Sequence, residues 1–111
     1  MKKIMIIVTI LFVSATTKSQ KMFSVDYQNQ ADIKVFVVQY ENQADLKVYK
    51  VKYENQAVMN NGKWFFTKYL IQAKKKIYFV DYANQADLKI FFVNYENQAG
   101  WKTASKKSLL Y

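Results

Sequence analysis

Eight carboxylates, seventeen lysines and a few hydroxyls are the groups with which this chain could do acid–base or ligand chemistry, for it has no His and no Cys. A Ser-His-Asp arrangement therefore cannot be assembled. Beyond Ser19 the serines are Ser24, Ser105 and Ser108, none with an imidazole to act as base. Hydrolysis by a carboxylate pair stays formally open. However, Asp32, Asp45 and Asp87 recur at one place in a repeated text, as do Glu41, Glu54 and Glu96. A structural repeat distributes charge in that way. Without imidazole or thiolate no soft metal site can form, and the Asp and Asn oxygens do not follow a calcium-loop spacing. Gly62 and Gly100 are the only glycines, too few for a phosphate-cradling loop. The sequence predicts no enzyme, no catalytic residue, no cofactor and no metal.

The lysines are the remaining chemistry. Every basic residue is Lys and the formal charge is +9, so anion recognition would be by point charge and not by a guanidinium fork. Lys50, Lys52 and Lys68, beside Trp64 and the tyrosines, and the run Lys74, Lys75, Lys76 form the candidate polyanion surface. Lysines interleaved with aromatics suit glycan or nucleic-acid strands. Solvated surface charge is the plainer reading, since Lys34, Lys47 and Lys89 recur near Asp32, Asp45 and Asp87.

The elements that must position these groups begin after an export signal. Lys2 and Lys3 precede an apolar run from Ile4 to Val13, followed by small polar residues to Ser19. That is the layout of a secretory signal peptide over residues 1–19, cleaved after Ala15 or Ser19. This almost unbroken apolar run of ten residues falls short of the roughly twenty needed to span a bilayer. The expected product is secreted or periplasmic, without integral membrane insertion. Cleavage after Ser19 removes Lys2, Lys3 and Lys18 and leaves a balance of +6. With 51% hydrophobic and 17% aromatic residues, the rest should fold around a packed core.

That remainder is a repeat. Tyr27, Tyr40, Tyr53, Tyr69, Tyr82 and Tyr95 are spaced by 13, 13, 16, 13 and 13 residues. Around them stand Asn29-Gln30, Asn42-Gln43, Asn55-Gln56, Gln72, Asn84-Gln85 and Asn97-Gln98. Such self-similarity marks a repeat architecture. The fourth copy departs most, with Ile71 for Asn and Lys74 for Asp, and an Asn61-Gly62 turn precedes it.

Each copy reads as a strand and a linker. The strands alternate with period two and are rich in β-branched and aromatic residues. One face is nearly constant, as in Phe23/Val25/Tyr27 and Phe91/Val93/Tyr95, and is taken as the core. The other varies, as in Met22/Ser24, Val48/Lys50 and Trp64/Phe66, and turns polar towards each strand's end. Thirteen is odd, so unbroken pleating would flip successive tyrosines to opposite faces. The linker must break the alternation. Single helical turns are expected at Asn29, Asn42, Asn55, Asn84 and Asn97, capped by Asn with the following Asp reaching back. The amides should satisfy backbone groups and tie one strand end to the next. About seven linker residues are short for a parallel crossover, so neighbours run antiparallel or the chain wraps unusually. The predicted fold is mainly β with short helical turns, one compact domain of six repeats over residues 22–102. The tail 103–111 either closes the domain or frays.

The text Tyr-x-Asn-Gln-Ala-Asp-Leu/Ile-Lys-Val/Ile, interrupted by Gly62-Lys63-Trp64-Phe65-Phe66-Thr67-Lys68-Tyr69, resembles the septoil-knot domain family over residues 22–102. The resemblance implies a chain threaded into a seven-crossing torus knot, 7(1), and no established activity. The expected role is a non-enzymatic structural or interaction module of unknown partner. The alternatives are a binder of anionic polymers and a curli-like fibre subunit.

Overall fold

The computed structural model describes residues 19–111, so the signal-peptide reading lies outside the described residues except at Ser19. Each repeat supplies one short strand: β1 (Lys21–Ser24), β2 (Ile33–Val37), β3 (Leu46–Lys50), β4 (Lys63–Phe66), β5 (Lys75–Phe79) and β6 (Leu88–Phe92). β7 (Gly100–Trp101) adds two residues antiparallel to the start of β3. The six repeat strands are parallel and run β4-β1-β5-β2-β6-β3, and β3 pairs back onto β4 to close the ring. Three-residue 3₁₀ turns join them at Gln28–Gln30, Glu41–Gln43, Glu54–Gln56, Leu70–Gln72 and Ala83–Gln85, and a sixth, Glu96–Gln98, leads into β7.

The chain passes around this ring twice. β1, β2 and β3 leave gaps that β5 and β6 later fill. The first turn packs on β5, the second on β6, the fifth on β2 and the sixth on β3. Turns one, two and five thus cross outside the strand of the other circuit. Register explains how so few residues suffice. Ile77 pairs with both Ser24, the end of β1, and Ile33, the start of β2. Ile90 likewise pairs with Val37 and with Leu46. The end of one strand is therefore level with the start of the next, and the linker steps sideways over two strand spacings, about 9.6 Å, without running back along a strand. The same stagger supplies the shear by which a barrel closes. Of the two linker alternatives, the unusual wrap is the one found, with all six repeat strands parallel.

The interior is three layers of repeat-equivalent positions. In the middle layer Met22, Val35, Val48, Trp64, Ile77 and Ile90 are all wholly buried. Towards the strand starts lie Ile33, Leu46 and Leu88, also buried. Towards the strand ends the layer opens: Phe66, Phe79 and Phe92 are half-buried, while Ser24, Val37 and Lys50 are exposed. The assignment of the core to the constant aromatic-Val-Tyr face is corrected by this arrangement. The core lies on the varied face, and the six tyrosines are between 62% and 67% exposed. The reason is volume. Six equivalent positions converge on one axis, where six copies of one large side chain could not pack to native density. One Trp and smaller aliphatics fill it instead. On the outer face, Val25, Val38, Val51 and Val80 are buried as well.

The tail does not fray. Ala104–Leu110 forms a longer 3₁₀ segment whose Leu110 is wholly buried in the core cluster. Leu110 carbonyl accepts from Gln20 Nε2 at 3.2 Å, and Lys107 carbonyl accepts from Asn60 Nδ2 at 2.9 Å. Trp101 Nε1 donates to Asn60 Oδ1 at 3.1 Å. Gln20 and Asn60 precede β1 and β4, so the tail plugs the end of the barrel where the strands begin.

Candidate functional site

The linkers place the repeated polar text on the outside. Each turn starts from an extended Tyr and closes when the Ala N–H donates to the carbonyl three residues earlier, as Ala44 does to Glu41 at 3.1 Å. Asn29, Asn42, Asn55, Asn84 and Asn97 sit within the turns and are exposed, and in these five described turns the cap position is held by the preceding Tyr, whose side chain accepts no capping bond. The expected turns are present at all five Asn sites, and at Leu70–Gln72 as well. Their expected capping by Asn is not. Gln30, Gln43, Gln85 and Gln98 are exposed like the asparagines. At two turns the Gln acts locally: Gln56 Oε1 accepts from Tyr53 N–H at 3.0 Å, and Gln72 Oε1 accepts from the Thr67 hydroxyl at 3.2 Å. Both bonds stay within one repeat, so the amides do not tie strand ends together.

The repeated Asp does that work. Asp32 Oδ2 accepts from Lys76 N–H at 2.8 Å, Asp45 from Lys89 N–H at 2.9 Å and Asp87 from Lys34 N–H at 2.9 Å. In return each Asp N–H donates to the carbonyl of the same lysine. The reach-back expected inside one turn is thus replaced by a clamp between the two circuits. The capping geometry fails because the chain leaves the turn extended, at φ −84° and ψ 146° for Ala44, which carries the carboxylate away from its own turn.

Asp45 differs from its two equivalents. Its side chain also accepts from Thr103 Oγ1 at 2.9 Å and Lys106 Nζ at 3.2 Å, and its carbonyl accepts from Lys102 and Thr103 N–H groups. Burial alone would raise this carboxyl. The Lys89 N–H, the Thr103 hydroxyl and the Lys106 ammonium outweigh it and hold Asp45 below its ordinary 3.8. Its repeat position was legible in the sequence. Its additional partners, Thr103 and Lys106, were not, because they lie in the non-repeated tail.

The candidate lysines gather on the two flanks of the fourth turn. Lys50, Lys52 and Lys68 line one groove of about 450 Å³ together with Phe65, Phe66 and Tyr69. Lys50 Nζ lies 4.6 Å from the Phe92 ring centre and 5.6 Å from that of Phe66, so its cation rests on two aromatic faces at the barrel mouth. The acid in this groove, Glu54, is paired with Lys21 at 3.4 Å. On the other flank Lys76 and Leu70 line a second cavity of about 440 Å³ with Asp26. Lys74 lies between that turn and β5 and Lys75 opens β5, both half-buried. The groove of Lys50, Lys52 and Lys68 and the cavity that Lys76 lines are therefore separate, with one turn between them. The sequence did not single out Thr67, which stands where other repeats have Val and donates to Gln72 while accepting from Tyr69 N–H at 3.1 Å. A Thr in a column of Val was the available signal.

Among the described residues no group of three or more His, Cys, Asp or Glu could hold a metal ion, and no helix is long and apolar enough to cross a membrane. The family model of the 7(1) septoil knot domain matches residues 19–102, and the doubly wound ring is the fold that the resemblance implied. No curated protein and no solved structure matches the chain.

Proposed function

The chain belongs to the septoil knot domain family, and from that premise we propose a non-enzymatic interaction module that binds anionic polymers through its lysine grooves. One observation carries this reading. Lys50 ends β3, Lys52 and Lys68 follow the ends of β3 and β4, and the three share a groove with Phe65, Phe66 and Tyr69. Cations beside aromatic rings are what a polyanionic strand with flat or apolar faces needs. The closed ring holds them on a rigid frame. The basic start and apolar run of residues 1–19 support action outside the cytoplasm, where a fold without disulfides relies on its own packing and threading. A fibre grown by strand stacking needs an unpaired edge. Each of β1 to β6 already has neighbours on both sides.

Retention on heparin tests the proposal. Wild type is expected to be retained at low salt and to elute as salt rises, and Lys52→Glu with Lys68→Glu to elute markedly earlier while unfolding at the same temperature. Each lysine–anion pairing that the substitutions remove should lower the slope of log K against log salt by about one. No retention at low salt, or retention indifferent to salt, overturns it.

A further inference from the structure

The fourth turn is rewritten relative to the other five in a way polymer binding does not require. Where the others expose Asn29, Asn42, Asn55, Asn84 and Asn97, this turn exposes Ile71, at 94% of its surface. Leu70 beside it is 54% exposed and Tyr69 62%. Three consecutive apolar or amphipathic side chains therefore project from a 3₁₀ turn. The turn is braced by its own substitution: Thr67 holds both Tyr69 N–H and the Gln72 amide, bonds that a Val cannot make. The projection is built in. On one side stands Lys68 with the groove it shares with Lys50 and Lys52, and on the other Lys76, lining a cavity with Leu70.

A small apolar tip beside a groove of three lysines, with Lys76 and Asp26 on its other side, fits a particular partner. A polymer dissolved in water offers no apolar phase for Ile71 to enter. A protein partner would have to provide a pocket matched in shape. An anionic lipid surface offers both features at once, headgroup charge for the lysines and an acyl boundary beneath it for Leu70 and Ile71, with the Tyr69 phenol suited to the interface between them. We infer that the Tyr69-Leu70-Ile71 turn docks the domain peripherally on an anionic bilayer. This rests on the lysine flanks being an anion-binding surface and adds an apolar determinant to it.

The absence of cysteine permits a residue-specific test on the full chain. A polarity-sensitive fluorophore is attached at Ile71→Cys, or at Asn84→Cys, the equivalent position of the fifth turn. Local readout is needed because the apolar run at the amino terminus could itself hold the chain near lipid. With vesicles of phosphatidylcholine and phosphatidylglycerol, the label at 71 is expected to shift to the blue, brighten and be quenched by a lipid-borne quencher, while the label at 84 keeps its emission in water. With phosphatidylcholine alone the response at 71 should fall about tenfold or more, because the flanking lysines then have no anionic headgroups to attract them. Equal responses at 71 and 84, silence at 71, or equal responses with neutral and anionic vesicles overturn the inference. If 71 is silent while the chain is still retained on heparin, lipid docking falls and polymer binding stands. If 71 inserts while heparin is ignored, the reverse holds.

Discussion

The two ends of the barrel are made from equivalent positions of one repeat and have been put to opposite uses. Where the strands begin, Ile33, Leu46 and Leu88 are sealed beneath Leu110 and ringed by Gln20, Asn60, Trp101 and Asp45. Where they end, Phe66, Phe79 and Phe92 stand half-open with Lys50 laid across two of them. A repeat alone would make both ends alike within each strand. The non-repeated tail breaks that equivalence, so stability gathers at the plugged end and the mouth is left free to vary.

If so, the greatest damage should come from the plugged end. Gly62 lies in its layer, at φ +92°, and a Cβ there would overlap the Lys47 carbonyl oxygen and stand 2.9 Å from Gly100 N. Both neighbours are backbone, which cannot swing aside, and the conformation itself disfavours an L side chain. Gly62→Ala should cost more than about 4 kcal/mol or abolish cooperative unfolding, measured by denaturant titration of Trp fluorescence. Near-wild-type stability would show that the plugged end yields more readily than its packing implies.

Asp45 sharpens the comparison because Asp32 and Asp87 are its controls. Asp45 accepts from three groups, one of them an ammonium, and joins the tail to β6, whereas each of the others receives one exposed backbone bond. Asp45→Asn should cost about 1.5–3 kcal/mol and Asp32→Asn or Asp87→Asn about 0.5–1.5 kcal/mol. The folded state holds the Asp45 carboxyl below 3.8, so its stabilisation is present above that pH and is lost as pH falls through the lower folded value. The stability gap between wild type and Asp45→Asn should therefore close below about pH 3.8, followed by thermal melts across the acid range. Equal costs at the three positions would mean that the tail contributes nothing through Asp45.

Local features of the fold were legible and axial ones were not. Periodicity at the tyrosines gave six strands and their turns, because turn formation depends on neighbours in sequence. Constancy of Phe/Tyr-Val-Tyr was misread as a core since burial at one position of a strand depends on the other strands that meet it on the axis. Met22, Val35, Val48, Trp64, Ile77 and Ile90 look unrelated in the sequence, and only ring closure reveals them as one layer. The Asp clamp was hidden for a related reason: Asp32 and Lys76 are 44 residues apart and meet because the second circuit interleaves with the first. For the lysines, sequence found the residues and the separate runs, while register showed that the fourth turn lies between them.

The mouth offers the smallest effect and the finest discrimination. Lys50 could be there as a solubilising cover over an otherwise apolar layer, or for its ammonium on the Phe66 and Phe92 rings at 5.6 and 4.6 Å. Lys50→Met keeps the stem and removes the charge. If the layer simply needs covering, Met adds apolar packing and stability should rise slightly. If the cation matters, stability should fall by about 0.5–1 kcal/mol, the range for a partly solvated cation on aromatic faces. Because Phe66 and Phe92 are themselves only half-buried, the fall is expected to stay well below that of Gly62→Ala or Asp45→Asn. The same variant should elute earlier from heparin, since the groove loses one of its three lysines. A fall in stability as large as at the plugged end would make the mouth a second structural end and withdraw the contrast, whereas a small change with weakened retention leaves one end holding the ring together and the other presenting charge to a partner.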